Sequence, residues 1–285
     1  MPQIQVKELT HIYAEGMPFE TVALDRIHFE IEQGEFVGII GHTGSGKSTL
    51  IQHLNGLLKP KSGQIIIEGL DITNKSVKMR DIRTKIGLVF QYPEYQLFEE
   101  TVEKDIAFGP LNLGVSKDEA AKRVKEAMQL VGLDYKTLAK RSPFALSGGQ
   151  KRRVAIAGVV AMRPKVLILD EPTAGLDPKA HQDVLQMVET IHRKEGITIL
   201  LVSHNMGDIA RLADKVLVMD GGRLVMTGTP SEIFHRAEDL KRMNLALPPA
   251  TELMYRLKTK GAPVSADVLT IAEAEEEIYR WIGKR

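Results

Sequence analysis

The junction between the apolar run Phe36 to Ile40 and the stretch Gly41-His42-Thr43-Gly44-Ser45-Gly46-Lys47-Ser48-Thr49 constrains the fold of this chain more than any other feature. An uninterrupted apolar run that ends on glycine has the profile of a strand buried on both faces of a parallel sheet. Lys47 to about Leu58 reads as a helix, closed by Lys59-Pro60-Lys61-Ser62-Gly63. Strand, glycine loop and helix in that order make an α/β unit. The loop then sits at the carboxyl end of its strand, where the sites of open α/β sheets collect. The glycines let successive backbone amides turn inward as a concave nest for anionic oxygens, and the positive end of the helix faces the same point. Lys47 is placed to reach the β- and γ-phosphates of a nucleoside triphosphate, the Ser48 hydroxyl to bind Mg²⁺, and Thr49 to touch the α-phosphate.

Two further motifs bear on what becomes of that nucleotide. Val166 to Leu169 is another buried run, and it ends on Asp170-Glu171. At the mouth of a strand, Asp170 would hold Mg²⁺ through water, and Glu171 would orient or deprotonate an attacking water. Adjacent acids can also be plain solvated residues; a phosphate loop in the same chain favours the catalytic reading. Leu146-Ser147-Gly148-Gly149-Gln150 precedes a helix that runs to Ala161. Ser147 reads as its N-cap, and Gly148 and Gly149 expose amides at a helix N-terminus, a second anion site. The plainer reading is an ordinary cap with glycines for close packing. One chain carries one phosphate loop, however, so the second anion site is expected to serve the nucleotide of another copy across a two-fold dimer.

Composition narrows the partners. The formal net charge is +1, which gives no electrostatic support for nucleic-acid binding. With no cysteine, disulfides and thiolate metal sites are excluded. Met-Pro-Gln-Ile-Gln-Val at the start lacks the charged head and apolar stretch of a secretory signal. The longest apolar runs, Val154 to Met162 and Ile197 to Val202, fall far short of the about 20 residues of a membrane span. A membrane-spanning part, if the chain works at a membrane, must come from other subunits.

Along the chain, Ile4 to Val6, Ile27 to Ile31 and Gln64 to Ile67 read as strands, with a turn at Gln33-Gly34-Glu35. From about Tyr92 to Met162 the character is helical, with Ser116 and Glu119 spaced as a capping box before a helix through Val131. Lys215 to Met219 followed by Asp220-Gly221-Gly222-Arg223 reads as a hairpin. Thr229-Pro230-Ser231-Glu232 and Thr270 with Glu273 start helices in a C-terminal extension broken by Leu247-Pro248-Pro249.

With both glycine motifs read, the chain from Ile4 to Ala237 resembles the ABC ATPase family. That resemblance implies an α/β P-loop NTPase of ABC type. It has a mixed sheet core, an antiparallel β subdomain, a helical subdomain at about 92–162 and a small C-terminal helical extension. The nucleotide-binding domain would be residues 1–228, and the extension, residues 229–285, would add dimer contacts. It also implies roles residue by residue. Gln91 matches the glutamine that senses Mg²⁺ and links the site to a membrane subunit. Asp177, in Ala174-Gly175-Leu176-Asp177, matches the aspartate that faces the opposite subunit. His204 matches the switch histidine at the γ-phosphate. Tyr13 stands where the family places an aromatic to stack on adenine, although a tyrosine near a strand end also serves as packing. The stretch Phe90-Gln91-Tyr92-Pro93-Glu94-Tyr95-Gln96-Leu97-Phe98-Glu99-Glu100-Thr101-Val102, continuing to Asp105-Ile106-Ala107-Phe108-Gly109-Pro110, resembles the ATPase subunits of energy-coupling factor transporters, with Tyr92-Pro93-Glu94-Tyr95-Gln96-Leu97-Phe98 in the version of the second of two paralogues. The resemblance implies ATP and Mg²⁺ as ligands and a second ATPase subunit, self or paralogue, as partner. It further implies a transmembrane coupling subunit, a membrane protein that binds a vitamin or transition-metal ion, no nucleic acid, and a peripheral place on the cytoplasmic face of the membrane. Tyr92, Tyr95, Leu97 and Phe98 either form an exposed patch for a partner helix or pack inside the helical segment. The alternatives are the ATPase subunit of another ABC importer, or a soluble ABC ATPase of repair or translation. Chains of that soluble kind carry long coiled-coil insertions or tandem ATPase units, which this chain lacks.

Overall fold

The computed structural model describes residues 2–74 and 76–283. Its strands are β1 (Ile4–Tyr13), β2 (Thr21–Ile31), β3 (Phe36–Gly41), β4 (Ser62–Ile67), β5 (Leu70–Asp71), β6 (Ile86–Val89), β7 (Val166–Asp170), β8 (Thr198–Val202), β9 (Lys215–Asp220) and β10 (Arg223–Gly228). They form two sheets. One has four strands in the order β2-β1-β4-β5, with every pair antiparallel. The other has six, in the order β10-β9-β3-β8-β7-β6. Its members β9, β3, β8, β7 and β6 run parallel, and β10 closes one edge antiparallel as the return arm of a hairpin.

The apolar runs of the parallel strands follow from burial on both faces. Side chains alternate across a strand, so each strand feeds two cores. Phe36 and Ile40 of β3, Leu167 and Leu169 of β7, Ile199 and Leu201 of β8, and Val216 and Val218 of β9 join one cluster. That cluster also takes in the helices Val102–Asn112, Lys117–Leu130, Gly148–Val160 and Pro178–Glu195. Val37, Ile39, Val166, Ile168, Leu200, Val202, Leu217 and Met219 face the other way. They pack with the helix Lys47–Leu54 and the inner face of the four-stranded sheet. The phosphate loop leaves the middle of the parallel sheet, which places it at the centre of the molecule's carboxyl-end rim.

Several local expectations shift. The helix after the loop stops at Leu54 rather than Leu58. Asn55 caps it and turns its amide inward to donate to the Ile86 carbonyl at 3.1 Å, and Gly56 follows with φ +69°. The chain is thereby free to enter β4 already at Ser62. Ser116 accepts from the Glu119 amide, yet the reciprocal half of that box does not form. The Glu119 carboxylate pairs instead with Arg123 and Arg163. The boxes at Thr229 with Glu232 and Thr270 with Glu273 do close reciprocally. Leu97 belongs to the core, while Tyr92, Tyr95 and Phe98 are exposed.

After β10, Ile233, Phe234, Leu240, Leu245 and Leu247 still pack into the main cluster. Beyond Pro248 the helices Pro249–Thr259 and Ile271–Ile282 gather a small core of their own around Met254, Val264, Val268 and Ala274. Among the described residues, no helix is long and apolar enough to cross a membrane.

Candidate active site

Gly46 is the N-cap of the helix Lys47–Leu54, and its φ of +101° is open to glycine alone at little cost. A Cβ there would stand 2.6 Å from the Ala23 carbonyl oxygen, so the loop is pressed against β2. The other wall is the β9–β10 turn, whose Gly222 amide donates to the Ser45 carbonyl at 3.2 Å. His42 reaches the same turn, with Nε2 2.9 Å from Asp220 Oδ1 and Nδ1 2.7 Å from the Thr43 carbonyl. At the base of the loop the Ser45 hydroxyl is buried without a hydrogen-bond partner among the described residues. Lys47 donates to the Gly41 carbonyl at 2.7 Å and the His42 carbonyl at 2.9 Å. An ammonium has three donors, so one is left to face the loop's interior. Burial pushes the Lys47 amine below its ordinary value, against the carboxylates of Glu171 and Asp170, which favour its charge.

Asp170 ends β7 and is buried. Burial, then the neighbouring Glu171 charge, raises its carboxyl above the ordinary range. Its contact from the Ser48 hydroxyl, at 3.4 Å, and the Lys47 charge pull the other way. A carboxylate held at such cost beside a serine hydroxyl and a lysine is a hard-oxygen donor set that fits Mg²⁺ with phosphate.

Glu171 has φ +48°, a left-handed conformation that a non-glycine residue adopts at a cost of about 1–3 kcal/mol. Its amide is fixed by the Val202 carbonyl at 3.0 Å across β8. The strained turn throws the carboxylate off the end of β7 between two side chains from other strand ends. Gln91 Nε2 donates to one oxygen at 3.2 Å, and His204 Nε2 lies 2.7 Å from the other. Three residues far apart in sequence thus meet at the carboxyl ends of β6, β7 and β8.

Tyr13, at the end of β1, is 41% exposed. Its hydroxyl lies 3.3 Å from Thr49 Oγ1, and its ring meets His11 edge-on at 4.5 Å. Tyr13 thus stands partly exposed at the rim of the loop.

Ser147, Gly148, Gly149 and Gln150 lie elsewhere. Ser147 Oγ accepts from the Gln150 amide and Gln150 Oε1 from the Ser147 amide, a closed capping box on the helix Gly148–Val160. Added Cβ atoms on Gly148 or Gly149 would meet nothing within 4 Å. The four residues line a groove of about 780 Å³ together with Gly175 and Asp177. No residue of Gly41 to Thr49, nor Asp170, Glu171 or His204, lines that groove. Asp177 caps the helix Pro178–Glu195, accepting from the amides of Lys179 at 3.0 Å and Ala180 at 3.1 Å.

Sequence reasoning missed Arg152. It is 1% exposed, on the inner face of the helix that Ser147 caps. Its guanidinium is bidentate on Glu94, at 3.0 and 2.8 Å, and donates to the carbonyls of Pro172 at 3.0 Å and Ala174 at 2.9 Å. It therefore joins the segment after Gln91, the loop after Glu171 and the helix after Ser147. Its partners lie 58 and about 20 positions away, so no local pattern announces it.

The model of the ABC transporter family matches residues 24–174. The chain is 58% identical over 279 residues to the energy-coupling factor transporter ATP-binding protein EcfA2 of Clostridium perfringens, covering 98% of each. With the protein of the same name from Caldanaerobacter subterraneus it shares 61% over 279 residues, 98% of this chain and 97% of that one. Among solved structures, cbiO1 from Clostridium perfringens, described as part of the ABC transporter complex cbiONQ, superposes with a TM-score of 0.75 at 40% identity, over 89% of this chain and 99% of that one. The ATP-binding cassette MJ0796, solved as a dimer in a post-hydrolysis state with ADP and Pi, gives 0.70 at 28% identity, over 80% and 98%. A phosphate loop between two sheets, a strained glutamate at a strand end and full-length kinship agree, and the chain belongs to the ABC transporter ATPases as the ATP-hydrolysing subunit of an energy-coupling factor transporter.

Proposed function

We propose that this subunit hydrolyses ATP only when two ATPase subunits close on each other, and that closure drives uptake of a vitamin or transition-metal ion through a transmembrane partner. The observation that carries the reading is the Glu171 carboxylate, held between Gln91 and His204 beside Lys47. Lys47, the amides of Gly41 to Gly46 and Thr49 bind and orient the triphosphate of ATP, and Tyr13 stacks on the adenine. Ser48, Asp170 and Gln91 would hold Mg²⁺, which when bound neutralises charge on the β- and γ-phosphates. Glu171 orients the attacking water and accepts its proton. His204 fixes that carboxylate and contacts the γ-phosphate. Positioning and charge neutralisation supply most of the rate.

Ser147, Gly148, Gly149 and Gln150 act on the nucleotide of the other subunit, with Asp177 beside them. Their groove is separate from the chain's own phosphate loop, which supports a site completed in trans. Contacts to the γ-phosphate across the dimer exist before hydrolysis and not after, and that difference in affinity is what performs work. The catalytic body is residues 1–228. The extension 229–285 adds dimer contacts, a role that the exposed Ile271, Tyr279 and Ile282 on its last helix support. Residues 1, 75, 284 and 285 lie outside the described ones.

The partner surface is the segment after Gln91. Tyr95 is 85% exposed, with Tyr92 and Phe98 exposed on either side. Such a cluster is suited to a helix of a coupling subunit. A substrate-binding membrane subunit would join that complex, leaving this chain peripheral on the cytoplasmic face.

Glu171→Gln tests the reading. ATP binding is expected to persist while phosphate release falls by about 10²–10⁴-fold, and the variant should accumulate as a closed dimer with ATP in size-exclusion chromatography. Wild-type phosphate release from this variant would end the assignment. Purification from native membranes should bring down integral membrane subunits together with the chain.

A further inference from the structure

The short helix Met206–Leu212, which begins two residues after His204, is clamped on several sides. Beneath it lies β3, so close that a Cβ on Gly38 would stand 2.7 Å from Ile209 Cγ2. At its start Asn205 Oδ1 accepts from the amides of Gly207 at 3.0 Å and Asp208 at 3.2 Å, and the Asn205 amide donates to Ser203 Oγ at 3.0 Å. Beside it runs Pro178–Glu195, the helix that Asp177 caps. Here His181 Nε2 lies 2.8 Å from Asp208 Oδ2, with both side chains largely buried. Further along, Arg211 approaches Glu189 at 3.9 Å, a looser contact between the same two helices.

The spacing is what gives the pair its interest. Asp177 and His181 are four positions apart on one helix start, and His204 and Asp208 are four apart on the other. One turn, one side-chain contact and one turn therefore connect the residue at the partner-facing groove to the residue at the Glu171 carboxylate. Burial disfavours the Asp208 charge, and His181 offsets that first among its neighbours, ahead of Arg211. An apolar pair would hold the two helices together without this penalty.

We propose that His181 and Asp208 are positioning residues for hydrolysis: their contact sets the place of His204 on Glu171 according to the place of Asp177. This inference rests on the roles given above to His204 and Asp177. Closure against a second subunit would move the start of Pro178–Glu195, and the His181–Asp208 contact carries that movement to the helix behind His204. A subunit without the contact binds ATP and closes, but its histidine is no longer aligned when closure occurs.

Steady-state ATPase assays on the full chain, with melting curves, test this. His181→Ala is expected to lower kcat about tenfold while KM for ATP changes less than about twofold, because alignment rather than binding is lost. His181→Gln, whose amide nitrogen stands where Nε2 does, is expected to recover kcat to within about threefold of the parent. Should the alanine variant fail to fold, His181→Phe fills the same space without a donor and is read by the same criteria. His204→Ala runs in parallel. A kcat within about twofold of the parent for the variants lacking the donor, or a loss that His181→Gln does not recover, overturns the inference. If His204→Ala itself keeps full turnover, the role of His204 falls and the inference with it. If His204→Ala is inactive and His181→Ala is not, only the inference falls.

Discussion

The phosphate loop and the Leu146–Gln150 stretch are both glycine-rich starts of helices, yet their glycines answer to different constraints. In the loop the chain itself demands them: Gly46 has φ +101°, and a Cβ on it would run into the Ala23 carbonyl at 2.6 Å. At Gly148 and Gly149 the surroundings are open, and nothing in the described molecule lies within 4 Å of an added Cβ. Nor does the helix gain from them, since glycine near a helix start is inferior to alanine by up to about 1 kcal/mol. A glycine that its own fold does not need points to something outside the fold that comes close to the backbone. The same contrast holds for side chains. Gln91 and His204 hold Glu171, the Gly41 and His42 carbonyls hold Lys47, and Ser48 reaches Asp170, whereas the side chains of Ser147 and Gln150 hold each other's backbone amides. One region is a pocket assembled within the chain, and the other is an open groove that on the proposed reading is completed by a second subunit.

Arg152 joins the two regions, and its loss should have the largest effect on stability. Arg152→Ala leaves Glu94 without its buried partner and two carbonyls without donors. It should cost about 3–5 kcal/mol, visible as a drop in the denaturation midpoint, with ATPase falling alongside. A midpoint close to the parent's would mean that the two regions are not tied through this residue.

The paired glycine substitutions come next. Gly46→Ala is expected to destabilise the subunit by about 1–3 kcal/mol through forced strain and to abolish nucleotide binding in a fluorescence titration. Gly149→Ala should leave the subunit as stable or raise it by up to about 1 kcal/mol. It should retain nucleotide binding and still lose turnover. Equal destabilisation by the two would erase the contrast between the two glycines.

The smallest expected effect concerns Asp170, where function works against stability. Its carboxyl titrates above the ordinary value of 3.8, first because it is buried and then because Glu171 is near. The folded chain therefore binds this proton more tightly than the unfolded one. The stabilisation it provides is full below pH 3.8 and is lost as pH rises through the raised value. Asp170→Asn removes the charge without the volume. It should raise stability at neutral pH, the advantage over the parent growing as pH climbs above 3.8. Phosphate release should nevertheless fall. A melting temperature below the parent's at neutral pH would contradict the burial argument.

Much of this was legible because it is local. A strand ending in a glycine loop, an apolar run ending in Asp170-Glu171, and the caps at Thr229 and Thr270 all depend on neighbours within a few positions, and the structure forms each of them. Legibility failed where a distant group competed. Glu119 has the spacing of a capping box, but two arginines offer it a charge-assisted partner instead. The helix after Lys47 has a pattern that could extend to Leu58, but Asn55 is drawn to the Ile86 carbonyl. Tyr95 and Leu97 stand two places apart in one apolar cluster, and only the fold decides that Leu97 is in the core and Tyr95 at the surface.

The amino-acid order alone determined the strand–glycine loop–helix unit and the glycine-rich helix start at Ser147, because backbone geometry and helix ends are set by residues close in sequence. The tertiary structure decided which side chains meet. It brought Gln91, Glu171 and His204 together from three strand ends, buried Arg152 against Glu94, and left the chain's own phosphate loop out of the Ser147 groove. The physical reason is that such contacts depend on strand order in the sheet and on the alternation of its faces. Both emerge only when the strands pair.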